Sequence, residues 1–212
     1  MTRYEKPDYW SVKAKQEGYP ARSVYKLQAM DEKFGLFSGH PKPGKVLDLG
    51  AAPGSWSLYA LKRLGAGGFI LGVDRSSLAR DYDGGLLSGD RYCFLQGDLT
   101  SREIQEAILV QGPFHLVMSD AAPGTTGHPS VDALRSLVLA EAALEYADLA
   151  LFKGGNLVVK VFQGGESPNL LKRIRERFKT AKSFKPAACR GTSCETYYVG
   201  LDKKSTNWAD AG

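Results

Sequence analysis

Val46-Leu47-Asp48-Leu49-Gly50-Ala51-Ala52-Pro53-Gly54-Ser55-Trp56 is the stretch whose reading decides the fold. Val46, Leu47 and Leu49 make the apolar run of a strand covered on both faces. Gly50 stops that strand, and Gly50 and Gly54 let the backbone turn sharply and come close to a ligand. A helix is predicted to start near Gly54, because Trp56 to Leu64 carry helical apolar spacing. Strand, glycine loop and helix form the unit with which doubly wound α/β proteins hold a nucleotide-like ligand at the carboxyl ends of their strands. The spacing here is G-x-x-x-G. It is neither the G-x-G-x-x-G of a dinucleotide fold nor a phosphate loop ending in Gly-Lys-Ser/Thr, which disfavours a nicotinamide-dependent oxidoreductase.

Outward from this unit, strands and helices alternate. Strands are predicted over 68–74, 92–98, 114–120, 157–162 and 196–201, with a short one near 182–186. Helices are predicted over 21–37, 101–110, about 130–152 and 168–179. Thr100 and Glu103 have the spacing of a capping box. In the long helix, Leu134, Leu137, Val138, Ala142, Leu144 and Leu149 read as the core face, and Gly154 and Gly155 as its end. This alternation implies an α/β fold with a mostly parallel sheet. Residues 1–20 read as a basic and aromatic arm with at most a short helix, 21–202 as one domain, and 203–212 as a polar tail. In the arm, Tyr4, Tyr9, Trp10 and Tyr19 interleave with Arg3, Lys6, Lys13 and Lys15. Such rings can stack on unpaired bases, or they can pin the arm to the body.

Three successive strands end in an acid: Asp74, Asp98 and Asp120. Asp74 lies at the distance past the glycine loop where an acid accepts hydrogen bonds from ribose hydroxyls. An acidic edge without a phosphate loop suits a ligand with ribose hydroxyls, an exocyclic amine and a positive charge, all of which S-adenosylmethionine has. Lys160 interrupts the apolar run Leu157 to Phe162, and a lysine is almost never buried unpaired. Beside Asp120, and with Lys26 as a second cation, it reads as a proton acceptor, with Glu195 placed to orient or balance the pair.

Charge is unevenly distributed. Residues 1–45 carry nine Lys/Arg against five Asp/Glu, 172–190 eight against one, and 46–171 nine against fourteen. Two basic ends around an acidic body suggest a footprint for a polyanion beside a separate site. Three cysteines without a C-x-x-C pair, and three scattered histidines, give no disulfide framework and no metal site. No apolar run is long enough to span a bilayer, and Met1 to Lys6 lack the apolar core of a signal peptide, so a cytoplasmic protein is expected.

Several segments, in order, resemble the FtsJ/RrmJ-type RNA 2′-O-ribose methyltransferases. They are Arg22-Ser23-Val24-Tyr25-Lys26-Leu27, the opening stretch, Val117-Met118-Ser119-Asp120 with Ala122-Pro123, Val158 through Gly164, and Ser193-Cys194-Glu195-Thr196-Tyr197. The resemblance implies a Rossmann-like class I methyltransferase fold, with a seven-stranded sheet, an antiparallel last strand and helices on both faces. It implies a catalytic tetrad at Lys26, Asp120, Lys160 and Glu195. It also implies S-adenosylmethionine contacts at Gly50, Gly54, Trp56, Asp74, Asp98 and Asp120, with no metal. The implied substrate is a uridine ribose of large-subunit (23S) ribosomal RNA, free or in the large ribosomal subunit, and the implied enzyme is a monomer. Transfer RNA as substrate, a non-catalytic RNA-binding assembly factor, and a methyltransferase for protein or small molecules are the competing readings. Two departures from the family pattern stand out. Ser55 occupies the place of a third glycine, and 189–194 carries a single arginine.

Overall fold

The computed structural model describes residues 8–38, 44–79, 81, 83–164, 166–189 and 193–205. Arg3, Tyr4 and Lys6 of the arm, His40, Pro41, Pro43, Arg190 and the tail beyond residue 205 lie outside the described residues.

The strands β1 (Lys45–Leu49), β2 (Phe69–Asp74), β3 (Tyr92–Gln96), β4 (Phe114–Ser119), β5 (Leu151–Phe162), β6 (Phe178–Phe184) and β7 (Glu195–Lys203) form one sheet in the order β3-β2-β1-β4-β5-β7-β6. The ladders linking β3 through β5 are parallel, and β7 runs antiparallel to both β5 and β6. The strand order reverses beside β1, which pairs with β2 on one side and β4 on the other. The crevice at such a reversal is where open α/β sheets bind ligands. Register fixes what meets there. Leu49 pairs with Val73 and with Ser119, so Gly50, Asp74 and Asp120 leave the sheet at one level.

Side chains along each strand alternate between two apolar layers, as the pleat requires. Leu47, Val73, Val117, Val159 and Tyr198 face one layer. It is covered by α4 (Arg102–Gln111), α5 (Pro129–Ala150) and α6 (Ser167–Arg177). Val46, Ile70, Met118, Val158 and Tyr197 face the other. That side is covered by α1 (Tyr9–Gln16), α2 (Val24–Phe34) and α3 (Ser55–Leu64). Gly35, in the left-handed region at φ 65°, ends α2.

Some sequence expectations are corrected. The face of α5 that packs on the sheet is Ser136, Ala140, Ala143, Leu144, Tyr146, Ala147 and Ala150. Leu134, Val138 and Leu149 are 59%, 57% and 56% exposed, so three of the expected core residues point to solvent. The helix is apolar around most of its circumference, so spacing cannot choose a face. The small residues win because they let the helix approach the strands closely. The helix stops at Ala150, and Leu151 already bridges to Phe114. Gly154, at φ 83°, lies inside β5 near a shift in its pairing with β4, instead of ending the helix. Ser101, not Thr100, caps α4, accepting from the Ile104 N–H. The arm contains α1, pinned to the body by Trp10 against Tyr25 at 5.0 Å between ring centroids. Lys13 lies over both rings.

Candidate active site

The carboxyl edge of the sheet is organised by the glycine loop. The N–H groups of Gly50 and Ala51 both donate to the Val73 carbonyl, at 2.8 and 3.1 Å. The Asp120 N–H donates to the Leu49 carbonyl at 3.1 Å, tying the β4 exit to the same loop. Gly50 has φ 78°, and a Cβ there would sit 2.5 Å from the Ala121 nitrogen, so only glycine fits. Asp74 is held by two backbone donors, Ala52 at 3.0 Å and Ser76 at 2.8 Å. Asp98, two residues past β3, accepts from the N–H and hydroxyl of Thr100 at 2.9 and 2.7 Å. Those bonds, the backbone one foremost, hold its carboxyl below the usual carboxylate range.

Two adjoining cavities open on this edge. One, of about 410 Å³, is lined by Gly50, Asp74, Asp98, Ala121, Pro123 and Leu139, among others. The second, of about 430 Å³, includes Gly50, Pro53, Asp74, Ser77, Asp120 and Ala121. Together they bring Gly50, Asp74, Asp98 and Asp120 to one place. The volume suits a nucleoside-sized ligand. A backbone cradle that excludes any side chain, and carboxylates for ribose hydroxyls and a cationic centre, also suit S-adenosylmethionine.

Gly54 and Trp56 line neither of these two cavities. Gly54, at φ 116°, starts α3. A Cβ on it would meet the Leu87 side chain at 2.8 Å. Trp56 is buried, its indole N–H donates to the Ser23 carbonyl at 2.8 Å, and its ring packs 5.9 Å from that of Tyr197. The Ser55 hydroxyl accepts from the Ala21 N–H at 2.8 Å and donates to the Ala21 carbonyl at 3.1 Å. Both residues therefore fasten the glycine loop to the segment that leads into α2.

Four charged side chains, 169 residues apart at the extremes, meet beside the second cavity. Lys160 Nζ lies 3.0 Å from Asp120 Oδ1 and also donates to the Asp120 carbonyl at 2.5 Å. Lys26 Nζ, from α2, lies 2.5 Å from Glu195 Oε1. The side chains of Lys160 and Asp120 are only 8% and 15% exposed, and those of Lys26 and Glu195 12% each. The antiparallel register explains part of the assembly. Lys160 pairs with Tyr197 and Phe162 with Glu195, so Lys160 and Glu195 reach the end of the sheet together, while Asp120 comes from the β4 exit and Lys26 from α2.

Tyr197 links the two ion pairs and has no role in the sequence reading. It is fully buried. Its hydroxyl lies 2.7 Å from Asp120 Oδ1 and 2.5 Å from Glu195 Oε1. Burial, and then the two carboxylates, push its phenol well above the ordinary value. Its sequence signal is its place two residues after Glu195 on a strand, which puts both on one face.

Asp48 is likewise unassigned from sequence. It is fully buried in β1 behind the loop, and Ser57 donates to its Oδ2 at 2.6 Å. Its Oδ1 has no partner among the described residues. Burial pushes its carboxyl up to about 7, Ser57 works against this, and Asp120 and Asp74 add to it. Cys189 is pushed up to about 11, by burial first and by Glu195 next to it.

The basic helix behaves differently from its composition. Arg173 and Arg177 of α6 pair with Glu141 and Asp148 of α5 at 2.6 and 2.7 Å. Much of its charge is therefore spent within the protein. Among the described residues, no group of three His, Cys, Asp or Glu is placed to hold a metal ion, and no helix is long and apolar enough to cross a membrane.

Fold and site together define a Rossmann-like methyltransferase, and comparison with known proteins places it more narrowly. The sequence model of the FtsJ-like methyltransferase family matches residues 19–203. The chain is 50% identical over 203 residues to the ribosomal RNA large subunit methyltransferase E of Treponema denticola, covering 95% of this chain and 98% of that one. It is 44% identical over 205 residues to the protein of the same name from Nitratidesulfovibrio vulgaris, covering 96% and 98%. The crystal structure of a ribosomal RNA methyltransferase from Plasmodium falciparum shares the fold, with a TM-score of 0.72 at 24% identity over 89% of this chain and all of that one. This chain belongs to the FtsJ-like methyltransferase family. It is accordingly a methyltransferase, with a methyl donor of the S-adenosylmethionine type.

Proposed function

We propose that this chain methylates a ribose 2′-hydroxyl of RNA, a uridine of large-subunit (23S) ribosomal RNA. The observation that carries the reading is the buried Lys160–Asp120 pair, joined through Tyr197 to Lys26–Glu195, at the rim of the donor-sized cavities. Relatives of nearly identical length named for ribosomal RNA large-subunit methylation support the choice of RNA.

Asp74 and Asp98 would hold the donor's ribose side, with Gly50 and Ala121 forming the backbone cradle. The donor supplies an electrophilic methyl group on a sulfonium sulfur and leaves as a neutral thioether. The RNA 2′-oxygen forms the new O–CH₃ bond while the S–CH₃ bond breaks. The hydroxyl proton passes to Lys160 Nζ, which must present a free electron pair. Asp120 fixes that amine from both its carboxylate and its carbonyl. Lys26 adds a second positive charge to the same cluster, and Glu195 holds Lys26 in place. Most of the rate gain comes from holding two reactants in line, with a further ~10²–10⁴-fold from the base. Gly54 and Trp56 serve the donor indirectly, by shaping the loop and fastening it to α2.

The test is methyl transfer from labelled S-adenosylmethionine to unmodified large-subunit RNA, to assembled large subunits and to transfer RNA, followed by nuclease digestion. Label in a 2′-O-methyluridine from the large-subunit substrates is the expected result. Label only in transfer RNA, on a base, or in protein overturns the substrate, and no label in any RNA overturns the activity.

A further inference from the structure

The Tyr197 hydroxyl has no part in the proton transfer described above. It has one hydrogen and faces two carboxylate oxygens, Asp120 Oδ1 at 2.7 Å and Glu195 Oε1 at 2.5 Å. Each of those oxygens also receives an ammonium group, from Lys160 at 3.0 Å and from Lys26 at 2.5 Å. A phenol can donate to only one of them at a time. When the hydrogen points to Asp120, part of that carboxylate's charge is taken up, and its hold on Lys160 weakens. When it points to Glu195, Asp120 is left to bind the Lys160 ammonium more firmly.

We propose that Tyr197 is a positioning residue for methyl transfer, whose single hydrogen, placed between Asp120 and Glu195, sets how strongly Asp120 retains the proton on Lys160. The inference rests on the proposed role of Lys160 as proton acceptor. The geometry favours a tuning role over a purely structural one. The ring is already held by Trp56 at 5.9 Å and by burial in the apolar layer under α2 and α3. Packing alone would be served by phenylalanine, which would leave no hydroxyl between two anions. Strand pairing puts Tyr197 opposite Lys160, so the tyrosine and the amine it influences move as one unit. Among the described residues, the titratable groups that face Tyr197 are Asp120 from the β4 exit and Glu195 from its own strand, at the hydroxyl, and Lys26 from α2, 6.0 Å over the ring. Behind them stand Lys160 from β5 and Cys189 beside Glu195. Asp48 lies behind the glycine loop, close enough to Asp120 to sense its charge. No bond is made or broken at Tyr197. Only the position of its hydrogen changes.

Tyr197→Phe keeps the ring and removes the hydrogen. With the phenol hydrogen gone, Asp120 holds the Lys160 ammonium more firmly. The expected result is a kcat lower by about ten- to a hundredfold at pH 7, the size of one lost hydrogen bond to a charged group. The acid limb of the kcat profile should move to higher pH, so that activity partly recovers in alkaline buffer. Affinity for S-adenosylmethionine, read by calorimetry, should change less than about threefold, under ~0.7 kcal/mol. A kcat within twofold of the unaltered protein with an unmoved profile overturns the proposal. So does an equal loss at every pH accompanied by lost donor binding. Where the variant does not fold, 3-fluorotyrosine placed at position 197 is the second probe. Its more acidic phenol is the better donor, so the acid limb should move to lower pH, and an unmoved profile overturns the proposal. The unaltered protein on the same large-subunit RNA is the control. Failure there sinks the proposed function, whereas activity there with an indifferent Tyr197 sinks only this inference.

Discussion

Burying Asp48 makes the stability of the donor-free protein depend on pH in a direction opposite to that of most carboxylates. The side chain is completely enclosed in β1, and its carboxyl is pushed up to about 7 from 3.8, by burial first, against the Ser57 hydroxyl and with help from Asp120 and Asp74. The folded protein therefore binds the proton more tightly than the unfolded chain. This group's contribution is fully present below pH ~4 and is lost as pH rises towards ~7. A difference of about three pK units corresponds to roughly 4 kcal/mol in all, an upper bound for a buried group. Between pH 5 and pH 8 the change amounts to about 2–3 kcal/mol. Asp48→Asn has nearly the same shape, can still accept from Ser57 and cannot ionise. Urea unfolding of both proteins at pH 5, 6, 7 and 8 isolates the effect. The stability of the native protein minus that of the variant should fall by about 2–3 kcal/mol across this range, with the steepest change below pH 7. A difference constant to within ~0.5 kcal/mol would refute the reasoning, because it would mean that Asp48 titrates alike in the folded and unfolded chain.

Other perturbations test other links. Lys160→Ala should leave the protein folded and binding S-adenosylmethionine, because Asp120 keeps Tyr197 as a donor, yet lower methyl transfer to RNA by ~10²-fold or more. Single-turnover assays with donor affinity measured in parallel check this, and near-normal turnover refutes the assignment of Lys160. Gly50→Ala forces a Cβ to within 2.5 Å of the Ala121 backbone at a φ of 78°. Loss of measurable donor binding, with a fall in stability of a few kcal/mol on denaturant titration, is the expected outcome. On α5, Leu149→Ser should change stability by less than ~0.5 kcal/mol, since Leu149 is 56% exposed. Ala147→Leu, on the small-residue face against the sheet, should cost ~1–3 kcal/mol. Thermal melts of the two variants compare them directly.

The local sequence determines a good deal of this protein. The apolar run Val46 to Leu49, closed by Gly50, fixes a buried strand and a tight loop, because no other residue can take that turn against Ala121. Each strand-end acid is placed by its own strand, so Asp74 and Asp120 are legible once the strands are counted. Lys160 is legible because a lysine in an apolar run needs a partner. Where local pattern carries no information, the reading fails. Helix α5 is apolar on nearly every side, so only contact with the sheet reveals that alanines, and not Leu134, Val138 or Leu149, are buried. Which charges of α6 are paired is likewise decided by α5, whose acids meet Arg173 and Arg177.

The site divides along the same line. Which side chains carry charge is written in the chain, but which of them touch depends on strand order and register, which no single segment encodes. Insertion of β7 between β5 and β6 brings Glu195 and Tyr197 alongside Lys160. Packing of α2 on the other face adds Lys26. The sequence by itself determined the glycine loop, the acids at the strand ends and the misplaced lysine. Only the tertiary structure decided that a buried tyrosine joins the two ion pairs, and that Trp56 and Ser55 bind the segment leading into α2. The Ser55, Trp56 and Tyr197–Asp120 contacts join groups more than 30 residues apart in the chain and are set by the pairing geometry of the whole sheet.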